Sequence, residues 1–178
     1  MHISQMEHME ELIQKYLIYI PRLDILDVGS YDVNGSYKSL FINESKSKRW
    51  TYTGADIAAG PNVDVVLDDP YKFPFKDNQF DLVISGSVFE HTEFFWLTFQ
   101  EMTRVLKPLG YIFLTAPSRG PEHKHPVDCW RFYPDGFRAL AKYCNLEAIE
   151  VTTDWHNYVS DDNSYIHGDT VGVFWKGK

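Results

Sequence analysis

The chain has 178 residues, 44% apolar and 24% charged, with a formal net charge of −8, and a chain of this length hides roughly 70% of its unfolded surface, enough for one core and a single domain. The negative charge excludes nucleic acid as a partner, because binding to a phosphate backbone draws its affinity from Lys and Arg displacing counterions. Apolar runs such as 111–117 fall far short of the ~20 residues that span a bilayer, and the N-terminus is acidic rather than cationic and then apolar, so no membrane segment and no export signal are expected.

Met6, Met9, Leu12, Ile13, Tyr16 and Leu17 recur at the three- and four-residue spacing of one helical face, and Pro21 closes the segment, which predicts an amphipathic lead-in helix over 1–20. Five strands follow at 23–28, 50–57, 63–67, 80–86 and 110–117, each short, β-branched or aromatic, and bounded by Gly, Pro, Asn or Asp. They read as nearly continuous apolar runs, as strands do when helices cover both faces of a parallel sheet. Helices are predicted at 35–42, at 94–106 with Pro108 and Gly110 as terminators, and at 134–144 with Pro134 in its first turn. The alternation gives an α/β, doubly wound, Rossmann-like fold. Two last strands, 146–155 and 169–177, flank a polar loop with no helical pattern and pair most simply as antiparallel neighbours.

In such a sheet ligands bind beyond the carboxyl ends of the strands. Gly29 stands at that end of the first strand, where the absence of a Cβ permits close approach or positive φ; any strand-to-helix turn also favours glycine, so Gly29 alone does not decide. The next glycine is Gly35, so G-x-G-x-x-G is not met and a nicotinamide or flavin dinucleotide is disfavoured. Asp27 points the same way, since a carboxylate repels a pyrophosphate but attracts an ammonium or a sulfonium. Asp56, ending the second strand, can accept hydrogen bonds from both ribose hydroxyls. Asp68 and Asp69 either reach an adenine edge or cap a loop.

Together "LDVGSYDVNGSY" (26–37), "YTGADIAAGPNVDVV" (52–66), "FPFKDNQFDLVISGSVFEHT" (73–92) and "EMTRVLKPLGYIFLTAPSRGPEHKHPVDCWRFYPDGF" (101–137) resemble the class I S-adenosylmethionine-dependent methyltransferases of the small, compact kind. The likeness runs from about Leu23 to Leu146, with Tyr31 where the first motif often has its middle glycine. It implies a seven-stranded sheet in the order 3-2-1-4-5-7-6 with the last strand antiparallel, and S-adenosylmethionine as cofactor. By position it implies Asp27, Gly29 and Ser30 at the methionine end, Asp56 and Ile57 at ribose and adenine, Asp68 and Asp69 at the adenine amine, and Ser85 and Gly86 flanking the sulfonium.

Methyl transfer from a sulfonium is an in-line displacement, for which positioning alone supplies ~7–11 kcal/mol. No covalent residue is needed, and no G-x-S-x-G is present. A hydroxyl acceptor needs a base. His91, His123 and His125 are the candidates, with Glu90 and Asp128 beside them. His123, His125 and Asp128 form H-x-H-x-x-D, which lacks a further ligand at familiar spacing, so no metal is assigned. Arg131 either clamps an acidic acceptor group or ties its segment to an acidic partner. Trp130, Phe132 and Tyr133 are read as core beneath the segment, Tyr31 and Tyr37 as rings that close over the cofactor, and Lys46, Lys48 and Arg49 as a solvated loop.

The acceptor site is expected from the lead-in helix, 117–133 and 154–168, open enough for a small-molecule or carbohydrate acceptor or for completion by a second subunit in a homodimer. Cys129 and Cys144 lack C-x-x-C spacing and fit a reducing, cytoplasmic setting. The competing reading is a methyltransferase fold without turnover, kept as a subunit or cofactor-binding module.

Overall fold

The alternation along β1 (Arg22–Val28) builds two layers at once. Leu23 and Ile25 enter one core and Leu26 and Val28 the other, all four buried, so this strand must lie inside a sheet covered on both faces. The structure is a computed structural model that describes residues 3–33, 35–45, 48–155 and 166–178.

The other strands are β2 (Arg49–Asp56), β3 (Val65–Val66), β4 (Phe80–Gly86), β5 (Leu106–Pro117), β6 (Glu147–Thr153) and β7 (Asp169–Trp175). They form one seven-stranded sheet in the order β3-β2-β1-β4-β5-β7-β6. β1 to β5 pair in parallel, while β7 is antiparallel to both β5 and β6. Strand order reverses at β1 and β4, so a crevice opens beyond their carboxyl ends.

One face is covered by α1 (Ile3–Leu12), a π-helical turn at Ile13–Leu17 and α2 (Lys38–Ser45), which bring Met9, Leu12, Ile13, Leu17, Tyr37 and Phe41 onto Ile25, Leu82, Ile84 and Phe113. The other is covered by α3 (Phe95–Val105) and α4 (Pro134–Tyr143), whose Phe99, Met102, Phe137 and Leu140 pack on Leu26, Val83, Leu114 and Phe174. No helix among the described residues is long and apolar enough to cross a membrane.

Element boundaries moved where side chains compete with the backbone. β3 keeps two residues of the predicted five, because the Asp64 carboxylate itself accepts the Gly54 N–H at 2.8 Å, in place of a longer ladder. α2 starts at Lys38 rather than 35: Gly35 has φ +117°, and the Ser36 hydroxyl accepts the Lys38 N–H at 3.1 Å. β5 begins at Leu106, ahead of Pro108 and Gly110, by pairing Leu106 with Phe80. Lys48 is not a solvated loop residue: it pairs with Glu44 at 3.0 Å and lies over the Trp50 ring. Arg49 is exposed at the start of β2, and Lys46 lies outside the described residues.

Candidate cofactor and acceptor site

Gly29 leaves β1 with φ +84°, a conformation L side chains rarely adopt, and a Cβ there would overlap Val88. Both constraints demand glycine. The turn is fixed as the Gly29 N–H donates to the Ala55 carbonyl at 2.8 Å. Next to it, the backbone N–H groups of Tyr31 and Ala58 donate to the two Asp56 carboxylate oxygens at 3.1 and 3.0 Å. This holds the half-buried Asp56 in one orientation while leaving acceptor capacity on both oxygens. The Tyr31 ring lies against Gly60, where a Cβ would strike it.

Gly29, Tyr31, Asp56 and Ile57 line one end of a cavity of about 890 Å³, a size suited to a cofactor together with a small acceptor. Its middle is formed by Leu67, Pro70, Tyr71 and Val88, and its far end by His91, His123, His125 and His167.

The remaining predicted cofactor residues lie outside this lining. Asp27 is buried behind the turn, where Tyr52 donates to it, and burial pushes its carboxyl up to about 7. Ser30 and Ser85 are buried and donate to the carbonyls of Asn62 and Val28 at 3.1 and 2.9 Å. Gly86 gives room to Tyr37, since a Cβ there would overlap the phenol. Tyr37 is therefore fully buried and does not close over the cavity. Asp68 is exposed, and Asp69 is exposed and accepts the Tyr71 N–H at 2.8 Å, the loop-capping alternative.

At the far end, β4 runs into a 3₁₀ turn, Phe89–His91. Across from it the segment after β5 docks through Cys129, whose N–H donates to the Glu90 carbonyl at 2.7 Å, and through the Trp130 indole, which donates to Thr92 O at 3.1 Å. This brings the His91 ring to 4.9 Å from that of His123 and 6.0 Å from that of His125. His91 Nδ1 lies 2.6 Å from the Val127 carbonyl, so Nδ1 carries the proton and the Nε2 lone pair is left available. Burial holds the imidazole below its ordinary value. Glu90 is buried, and burial pushes its carboxyl up to about 8.

H-x-H-x-x-D is not a unit. Asp128 is committed to Arg131, whose guanidinium donates to both of its oxygens, and to the His123 backbone N–H at 2.7 Å. The guanidinium holds Asp128 well below the usual carboxylate range. Arg131 also donates to Pro121 O at 2.8 Å, so it ties its own segment together. Phe132 is buried as expected, but Trp130 is partly exposed with its edge on Phe95, and Tyr133 is exposed and stacks on Trp155.

Sequence reasoning missed His167, which had been absorbed into the 154–168 loop, of which 156–165 lie outside the described residues. It also missed the clasp of α1 on the strand ends. Gln5, Ser4 and His8 meet Asp169 and Asp154, with Gln5 Nε2 donating to Asp169 at 3.0 Å and to Ser87 at 2.6 Å. A polar residue on the buried face of the lead-in helix was the one signal available.

Residues 32–114 match a family model described as "Methyltransferase domain". Over 125 residues the chain is 28% identical to the highly reducing polyketide synthase verA of Penicillium polonicum, covering 61% of this chain and 5% of that protein, so the match spans about one twentieth of its curated relative. Two solved structures show the same fold. A candidate sarcosine dimethylglycine methyltransferase from Galdieria sulphuraria has TM-score 0.69 and 18% identity over 98% of this chain and 86% of that one. The 1,6-didemethyltoxoflavin-N1-methyltransferase of Burkholderia thailandensis, solved with 1,6-didemethyltoxoflavin and S-adenosylhomocysteine, has TM-score 0.72 and 14% identity over 98% and 79%.

Proposed function

We propose that the chain is a class I S-adenosylmethionine-dependent methyltransferase, a reading that its methyltransferase-domain match and its fold support, and that it methylates a hydroxyl or amine of a small-molecule or sugar-type acceptor seated at the histidine end of the cavity. One observation carries this reading: a single cavity joins Gly29 and Asp56 to His91, His123 and His125. The residues suit the cofactor, since Asp56 lines the cavity and has acceptor capacity for two ribose hydroxyls.

When bound, S-adenosylmethionine supplies a sulfonium methyl: the acceptor atom bonds to that carbon as the carbon–sulfur bond breaks and its electron pair stays on sulfur. The chain's own work is placement and proton removal. Gly29 lets the backbone approach, Asp56 fixes the ribose, and Leu67, Val88 and Tyr71 form part of the wall against which the ligands are placed. A hydroxyl acceptor loses its proton to an imidazole of the cluster; an amine acceptor enters neutral.

Titration calorimetry with S-adenosylhomocysteine tests this reading, because Asp56→Ala should weaken binding tenfold or more through two lost charge-assisted hydrogen bonds. Unchanged affinity would remove Asp56 from the ribose site. Tight binding of the cofactor without methyl gain on any acceptor of a sugar, amine and phenol panel would favour the second reading, a cofactor-binding subunit, for which Tyr31 in place of a motif glycine argues.

A further inference from the structure

Among the described residues, Glu90, His91 and His123 each offer a donor atom, and the three atoms lie within 4.8 Å of one another. We infer that these three side chains form a binding site for one divalent transition-metal ion, with zinc the best match, at the acceptor end of the cavity.

Three independent features support the site. First, the ligand set matches the ion. Two imidazoles and one carboxylate are a familiar zinc donor set, three protein ligands leave a fourth position for water or substrate, and Zn–N and Zn–O bonds of about 2.0–2.1 Å place donors ~3.3 Å apart, a contraction that side-chain rotation supplies. Second, Glu90 Oε2 is buried without a hydrogen-bond partner among the described residues, and Oε1 lies 3.7 Å from His91 Nε2. A buried carboxyl with an unpaired oxygen is costly, and a cation that binds as the proton leaves satisfies it. Third, the outer contacts are those of a metal ligand. His91 Nδ1 is turned to the Val127 carbonyl, which directs Nε2 to Glu90, and His123 is steadied by the Asp128–Arg131 pair. His91 and His123 also line the cavity, which gives the ion a path from solvent.

The sequence could not show this site, because the ligands beside His123 come from the end of β4, more than thirty residues away. The described residues contain a second cluster, His8, Asp154 and Asp169, but it is already satisfied: His8 meets Asp154 at 2.8 Å, and Ser4 and Gln5 donate to Asp169. With the ion on His91 and His123, His125 is left as the free imidazole of the three; that consequence rests on the methyl-transfer reading, whereas ion binding does not.

The test uses the full chain after dialysis against a chelator, titrated with zinc chloride and, in parallel, cobalt chloride. We expect one equivalent of zinc and visible cobalt absorption typical of four or five ligands. Glu90→Gln and His123→Asn should each weaken zinc at least tenfold, and His8→Gln should leave it unchanged. Circular dichroism and S-adenosylhomocysteine affinity establish that each variant is folded. Equal zinc affinity in Glu90→Gln, loss of the zinc site in His8→Gln, or the absence of a stoichiometric site would each overturn the inference. Zinc binding that follows the expected pattern without any affinity for S-adenosylhomocysteine would instead overturn the methyltransferase reading and leave the metal site standing.

Discussion

Asp27 and Asp56 end neighbouring strands, yet their surroundings give them different work. Asp56 sits at the cavity wall with two backbone N–H groups on its oxygens, whereas Asp27 is buried with Tyr52 donating to it, and desolvation raises its pKa from 3.8 to about 7. Between those two values the folded protein holds a proton that the unfolded chain has released. The associated stability is therefore fully present below pH 3.8 and is lost as pH rises through about 7, at up to ~1.4 kcal/mol per pH unit. Asp27→Asn cannot ionise and should flatten this part of the profile, standing closer to the parent at pH 5 than at pH 8, where it should be the more stable of the two without cofactor. Urea midpoints at the two pH values measure this. The same parent-to-variant difference at both would mean that Asp27 does not titrate between them.

At the scale of elements, α3 does more than cover the sheet, since it also holds the stretch that carries cavity residues Pro70 and Tyr71. Arg104 donates to the carbonyls of Phe73 and Phe75 at 3.1 and 2.9 Å and to Glu101 at 2.7 Å, while Glu101 accepts the Phe73 N–H at 2.7 Å. Its further bond to Asp77 involves a mostly exposed partner and contributes little. Arg104→Ala should therefore cost about 1–3 kcal/mol, with faster amide exchange confined to 70–79. Uniform exchange across the sheet would assign Arg104 to global stability instead. The sequence announced α3 by its apolar spacing and β1, β4 and β5 by uninterrupted apolar runs, so the strand order was within reach once the resemblance was recognised. It could not announce β3, where the Asp64 side chain takes a ladder donor, or the meeting of Glu90, His91 and His123, which depends on how the segment after β5 docks on β4. Gly29 and Asp56 were legible because a turn at a strand end needs a particular residue. Ser30 and Ser85 have the same location in sequence, yet their hydroxyls are turned to backbone carbonyls.

At the scale of the whole molecule, helices bury both faces of the sheet, and the cavity opens beyond the carboxyl ends of the strands. Gly29 and Asp56 at one end of it and the imidazoles at the other are carried by turns anchored to the two cores, so a ligand that fills the cavity contacts structure that exists only when the fold is complete. Such a ligand stabilises by mass action: at a hundred times its dissociation constant the gain is ~2.7 kcal/mol, which for a domain of this size raises the melting temperature by roughly 5–11 °C. S-adenosylmethionine and S-adenosylhomocysteine should both give such a shift. NAD should not, because its pyrophosphate needs a G-x-G-x-x-G turn, which the sequence lacks after β1, and a helix N-terminus, which among the described residues comes next only at Lys38. A shift with NAD alone would mean that the turn at Gly29 serves a phosphate after all, and that the Asp56 carboxylate acts on a different ligand.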